Sequence, residues 1–215
     1  MNNLVKIIPV LTKDQCDMIL KASESIEMKQ TTVFDSDGSE VVSTDIRNNT
    51  MSILDEIVGQ DVITLLNNSV KNALQNYKDQ VTTYHYGYIG WPMPAVGYTT
   101  YERERFQLLS YTQDQYYHWH FDQSVVRETP ESHRELSMVL YLNDDFEGGY
   151  TWFPYQKFKP RPGEALFFPS NWCYPHCSET VTSGNKKVIV TWFQVFYTPG
   201  QSTETEPQHI SSDSR

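Results

Sequence analysis

In the run Tyr117-His118-Trp119-His120-Phe121-Asp122, two imidazoles and a carboxylate recur at every second position. Alternate side chains of an extended strand share a face, so this spacing predicts His118, His120 and Asp122 pointing the same way. One histidine on a sheet is as a rule structural or solvated, but two with a carboxylate on one face form a ligand set. A further donor has to come from elsewhere in the chain. His209 lies in a polar tail and His133 in the polar run Glu131-Ser-His-Arg134, and both read as solvated. His85, between Tyr84 and Tyr86, suits an aromatic neighbourhood or a substrate surface. His176 stands apart, because it follows a loop after the apolar run 165–168 and precedes another apolar run.

Two imidazoles and one carboxylate on an octahedral metal leave three exchangeable positions, the arrangement by which non-haem Fe(II) oxygenases hold a cosubstrate and dioxygen. The carboxylate suits a hard divalent ion and the imidazoles add affinity. A structural zinc site would close its fourth position, often with thiolates. Cys173 and Cys177, which flank His176, could supply them, although buried free cysteines beside a pocket are the commoner outcome.

The elements that must position these groups can be read from periodicity and punctuation. Thr12-Lys-Asp-Gln15 is a capping box and predicts a short helix from about residue 13, packed on the outside. From Val62, the positions Leu65, Leu66, Val70, Ala73, Leu74 and Tyr77 form the apolar stripe of a second helix lying on a core. Residues 28–50 read as a loose hairpin or loop, with a turn signal at 35–38. After residue 80 the runs 106–111, 136–142, 165–169 and 188–197 have strand spacing, separated by turn residues. Gly184 and Asn185 suit a tight hairpin, and the polar stretch 198–215 reads as a disordered tail.

The chain has 215 residues, enough for one domain with a substantial core, expected here over 1–197 with 1–80 as a helical buttress and 81–197 as a β core. Acidic residues outnumber basic ones 27 to 17, and the net charge of -10 disfavours a phosphate-driven grip on nucleic acid. Aromatics at 13% with charged residues at only 20% exclude a wholly disordered chain or a coiled coil. Three cysteines are too few for the disulfide framework of a small secreted domain. The opening residues MNNLVKIIPVLTKDQ look like neither a signal peptide nor a membrane span, so the expectation is a soluble, cytoplasmic protein without membrane or nucleic-acid partners.

The motif Glu104-x-x-Gln107-x-x-x-Tyr111-x-x-x-Gln115-x-Tyr117-x-x-His120-x-Asp122 resembles the first metal-binding segment of the Fe(II)- and 2-oxoglutarate-dependent dioxygenases of the prolyl 4-hydroxylase type. Tyr141-Leu-Asn-Asp144, Glu147-Gly-Gly149-x-Thr151-x-Phe153-Pro154, Pro162-Gly163-x-Ala165-Leu166-Phe167-Phe168, His176, and Gly184-Asn185-Lys186 leading to Trp192 follow in the family's order. The likeness spans residues 104–193, with Arg47 resembling an early Arg-containing strand. It implies a mainly β fold with N-terminal helices, a double-stranded β-helix or jelly roll. It also implies His120, Asp122 and His176 as metal ligands and catalytic residues. Lys186 would pair with the distal carboxylate of 2-oxoglutarate, and Tyr111 and Tyr141 would line or hold the same cosubstrate; core tyrosines with satisfied hydroxyls are the other reading of this pair. Strand register puts Lys186, Val188, Val190 and Trp192 on one face and Lys187 on the other, so only one of the two lysines can face inward. His118 departs from the family pattern; with His118, His120 and His176 as ligands the chain would be a general cupin-type metal protein, and Asp122 argues against that.

The activity implied is hydroxylation of a peptidyl residue, proline first, using Fe(II), 2-oxoglutarate and O2, releasing succinate and CO2, with ascorbate as a helper. The alternatives are a hydroxylase of a free amino acid or small molecule, or a non-catalytic metal-binding sensor. The aromatic, Gly/Pro-punctuated stretch 84–101 is expected to form a loop over a peptide groove or simply to cover the sheet.

Overall fold

Thr12 and Gln15 exchange side-chain and backbone hydrogen bonds at 3.3 and 2.9 Å, so the helix Lys13–Ala22 begins where the capping box predicts. The structure, a computed structural model, describes residues 4–34, 37–81, 83–85, 88–91, 102–123 and 132–196. The tail expected over 198–215 and most of the loop expected over 84–101 lie outside these residues. Gln60–Val81 is the second helix, burying Val62, Leu66, Val70, Ala73 and Tyr77 along one stripe. Among the described residues, no helix is long and apolar enough to cross a membrane.

The long apolar runs are strands of one antiparallel sheet. Its order is Lys6–Pro9, Glu164–Pro169, Ser132–Tyr141, Lys186–Phe196, Gln107–Tyr111, Thr50–Ile53 and Lys29–Gln30. Both faces of this sheet are covered, which explains why its strands read as continuous apolar runs rather than as alternating ones. Leu108, Met138, Phe167 and Ile189 meet the two helices through Ile19, Leu66, Val70 and Tyr77. Leu109, Tyr111, Phe168, Val188, Val190 and Trp192 turn the other way and pack with Phe153 and Phe158 of a second sheet. That sheet runs Gln156–Phe158, Thr151–Phe153, His176–Ser178, Tyr116–His120 and Arg47–Asn48. The two sheets face each other as a double-stranded β-helix with helices buttressing the larger one.

The first 80 residues are not only helical. Lys6–Pro9 and Thr50–Ile53 join the larger sheet and Arg47–Asn48 the smaller, because both sheets leave edges that short N-terminal segments can satisfy with backbone hydrogen bonds. Within 28–50, expected as a loose hairpin or loop, the structure has the hairpin pairing, Val33–Phe34 antiparallel to Glu40–Val41. Gly184 and Asn185 do not close a hairpin. Val181–Gly184 pairs with Phe146–Gly148, whereas Lys186–Phe196 pairs in the larger sheet, so Gly184, at φ 79°, is the corner at which the chain changes partners.

Gly163 is a second such corner. Its φ of 87° lies in the left-handed region, and its carbonyl accepts Val10 N–H at 2.8 Å and Leu11 N–H at 3.0 Å, stitching the N-terminal strand to the sheet. A Cβ here would collide with the Leu11 carbonyl. Gly163→Ala is therefore expected to destabilise the protein by about 2–4 kcal/mol, read as a lowered thermal midpoint. An unchanged midpoint would show that this stitch contributes nothing.

Candidate metal and cosubstrate site

Tyr116–His120 pairs with His176–Ser178, but not in even register. Tyr117 lies opposite Ser178 and His120 opposite His176, so three steps on one strand match two on the other, the signature of a β-bulge. The bulge corrects the expectation that His118, His120 and Asp122 share a face. Tyr117 and His120 both line the cavity between the sheets, stacked with ring centroids 3.6 Å apart, while His118 is exposed and lies against Tyr116. Strict alternation would have put Tyr117 outside and His118 inside. The same register places the His120 and His176 rings 4.3 Å apart across the two strands.

Asp122 follows the strand end and completes the group. His120 Nε2 lies 3.5 Å from Asp122 Oδ1, and His176 Nε2 3.6 Å from Oδ2. One ligand atom from each residue falls within 4.8 Å of the others, the only such cluster among the described residues. His120 Nδ1 donates to the His118 carbonyl at 2.7 Å and His176 Nδ1 to the Tyr174 carbonyl at 3.2 Å. A carbonyl can only accept, so each ring carries its proton on Nδ1 and turns the Nε2 lone pair toward Asp122.

Protonation agrees with this arrangement. Burial works against the Asp122 carboxylate, but the adjacent His176 and His120 and the Ser137 hydroxyl outweigh it and hold the group well below the usual carboxylate range. Burial pushes His176 down to about 4 despite the opposing pull of Asp122, keeping the ring neutral at pH 7. Neutral imidazoles and an ionised carboxylate are the forms that bind a metal, and two nitrogens with one hard oxygen fit Fe(II).

The cavity, about 570 Å³, also takes in Tyr111 and Lys186. Lys186 is 1% exposed and extends inward with Val188, Val190 and Trp192, whereas Lys187 is only half-buried. Lys186 Nζ donates to the Gly149 carbonyl at 2.7 Å and to Ser178 Oγ at 2.9 Å, and sits 5.1 Å from the ring centres of both Tyr111 and Tyr141. Burial lowers its pKa to about 7. Burial also pushes the Tyr111 hydroxyl up to about 12, and that of Tyr141 higher still. Tyr141 is fully buried, its hydroxyl hydrogen-bonded to Thr151 at 2.8 Å, while Thr151 itself lines the cavity. The structure thus brings Lys186 and Tyr111 into the cavity with the three ligand candidates, and places Tyr141 behind them.

Several supporting groups escape a reading by motif. Arg134 lines the cavity, pairs with both Glu104 oxygens at 2.5 and 2.6 Å, stacks on Trp192 at 3.7 Å and points Nη1 at the Asp122 carbonyl at 3.4 Å. Arg47, which the family resemblance does single out, lies 4.6 Å from the centre of the Tyr117 ring that stacks on His120. Ser137 and Ser170 approach Asp122 itself. The available signal was a polar residue at an inward position of an otherwise apolar strand. Cys173 is exposed and Cys177 buried, and neither joins the metal-ligand group.

Residues 106–194 match the model of the 2OG-Fe(II) oxygenase superfamily. A putative prolyl 4-hydroxylase of Acanthamoeba polyphaga mimivirus is 38% identical over 108 residues, covering 42% of this chain and 45% of that protein. This chain therefore spans less than half the length of that relative. Among solved structures, the viral collagen prolyl hydroxylase of Paramecium Bursaria Chlorella virus-1, solved with 2OG, superposes with a TM-score of 0.63 at 20% identity, over 90% of this chain and 97% of that one. A Trichoplax adhaerens prolyl hydroxylase in complex with a hypoxia inducible factor peptide fragment gives 0.61 at 16% identity, over 89% and 84%. The His-Asp-His group lies inside the matched segment, so over residues 106–194 the chain is similar to the 2OG-Fe(II) oxygenase superfamily, and it shares its fold with the solved prolyl hydroxylases.

Proposed function

We propose that the protein hydroxylates a peptidyl residue, proline first, as an Fe(II)- and 2-oxoglutarate-dependent dioxygenase. The observation that carries this reading is one cavity holding His120, Asp122 and His176 together with a single buried lysine, Lys186. His120, Asp122 and His176 would hold Fe(II), and Lys186, flanked by Tyr111 and Tyr141, would pair with the distal carboxylate of 2-oxoglutarate. Iron with 2-oxoglutarate and O2 supplies an oxidant that inserts one oxygen atom into a substrate C–H bond, the other oxygen leaving in succinate as CO2 is released.

The chain's own residues bind, orient and exclude water. The carbonyls of His118 and Tyr174 keep both imidazoles in the ligand tautomer, and Val188, Val190 and Trp192 give the cavity an apolar wall against which a reactive oxidant finds few competing groups. Support for a peptide comes from the relatives, whose names are those of prolyl hydroxylases, and from the peptide bound to the Trichoplax protein. Ascorbate is the expected reductant for iron that stalls after uncoupled turnover.

Anaerobic Fe(II) plus 2-oxoglutarate should give a weak visible charge-transfer band, and air should release succinate. Incubation with a proline-containing peptide library should then add one oxygen atom to particular peptides by mass spectrometry. A band without succinate would favour a metal-binding sensor. Succinate release stimulated only by free amino acids would move the substrate out of the peptide class.

A further inference from the structure

The carboxylate of Asp122 is nearly symmetric toward its two imidazoles, with Oδ1 3.5 Å from His120 Nε2 and Oδ2 3.6 Å from His176 Nε2. Nothing in those two distances selects the oxygen that would ligate a metal, or prevents both from doing so. The surrounding hydroxyls break the symmetry. Ser137 Oγ lies 2.7 Å from Oδ2, and because a carboxylate only accepts, Ser137 must donate its one proton there. Ser170 Oγ lies 2.8 Å from Ser137 Oγ, whose proton is already committed, so Ser170 donates to Ser137. The result is a directed relay, Ser170 to Ser137 to Oδ2. Both serines are 1% exposed, so the relay is shielded from bulk water.

The relay is mounted rigidly. Ser137 sits on the interior strand Ser132–Tyr141, opposite Phe168 on one side and Trp192 on the other. The Ser170 carbonyl accepts the N–H groups of Asp122 at 3.1 Å and of Gln123 at 2.8 Å, so one residue anchors both the backbone of Asp122 and, through Ser137, its side chain.

We infer that Ser137, backed by Ser170, is a positioning residue that reserves Oδ2 of Asp122 for a hydrogen bond and offers Oδ1 alone to a metal. A carboxylate held to one oxygen occupies one coordination position and keeps the open face free for cosubstrate and dioxygen; one released to bind through both would close a position. This inference rests on the proposed metal-binding reading of the three ligand candidates and adds to it the identity of the ligating atom.

The test uses Co(II) as an anaerobic probe of the full chain, reading affinity by titration calorimetry and coordination by the visible d–d bands. Ser137→Ala should weaken Co(II) binding about 10- to 100-fold and change the d–d bands as the freed carboxylate alters its coordination. Ser170→Ala, which leaves the Ser137 proton in place, should do less. Ser137→Thr and Ser137→Val, nearly identical in shape, form the decisive pair: Thr should keep the wild-type bands and Val should reproduce the alanine spectrum. If Thr and Val behave alike, or Ser137→Ala binds Co(II) with wild-type affinity and bands, the positioning role is overturned. Failure of the wild-type chain to bind Co(II) would instead overturn the metal site, and this inference with it.

Discussion

Asp122→Ala is expected to abolish the charge-transfer band of the Fe(II) and 2-oxoglutarate form and to reduce succinate release to background. Among the described residues, no other carboxylate joins His120 and His176 in the cluster. Without Asp122 the metal would be left with two neutral imidazoles and no charge to offset its own. The fold should tolerate the loss. Asp122 lies beyond the end of Tyr116–His120, its backbone N–H remains bound to the Ser170 carbonyl, and the Ser137 hydroxyl can turn to Ser170. A thermal midpoint within a few degrees of wild type, measured without metal, would confirm that the lost turnover is chemical. A variant that keeps the band would show that the ligand set is wrong.

Lys186→Met should lose about a hundredfold in 2-oxoglutarate affinity while making the metal-free protein more stable. The reason is the cost of burying an ammonium. Burial takes Lys186 from an ordinary 10.5 to about 7, a gap worth on the order of 5 kcal/mol against the charged folded form. Methionine removes that penalty and forfeits the bonds to Gly149 and Ser178, for a net gain of about 1–3 kcal/mol and a rise of several degrees in midpoint. The sign of the pH dependence follows. Between pH 7 and 10.5 the unfolded chain holds more protons at this lysine than the folded chain does, so the Lys186 contribution to stability increases as pH rises through that window. Lys186→Met should flatten that rise. Cosubstrate affinity runs the opposite way: the distal carboxylate needs the charged lysine, so binding should weaken as pH climbs above about 7. Lys187→Ala should change neither measurement, and the reverse pattern would put the inward register one residue off.

The parts of this molecule legible from sequence are those governed by local rules. The capping box at Thr12, the stripe of the second helix and the inward parity of Lys186 each depend on a periodicity that the surroundings do not disturb. His118 shows where such rules stop. A bulge is one extra residue against a partner strand nearly sixty positions away, and no property of Tyr117 or His118 announces it. The strands at 6–9 and 50–53 were equally hidden, because edge pairing is decided by the sheet that needs covering and not by the short segment that covers it, whereas the strand at Arg47 was legible only through the family resemblance. Arg134 and Ser137 were invisible as functional groups for a related reason. Their significance is a contact to Asp122 made across the fold, whereas the motif surrounding Asp122 is continuous in the chain.

The bulge beside His120 has a consequence for the order in which backbone amides should exchange with deuterium. Lys186–Phe196 lies inside the larger sheet, bonded along its length to Gln107–Tyr111 and Ser132–Tyr141, so its protected amides should exchange only through global opening. Tyr116–His120 is held by a broken ladder to a three-residue strand and by two pairs to Arg47–Asn48, and should open locally at far lower cost. A metal captured by His120, Asp122 and His176 would tie that loose strand down, slowing exchange at 116–122 and leaving the central strand's rates almost untouched. The two halves of the site would then differ in kind: the lysine side is preorganised by the fold, and the histidine side acquires its rigidity from what it binds.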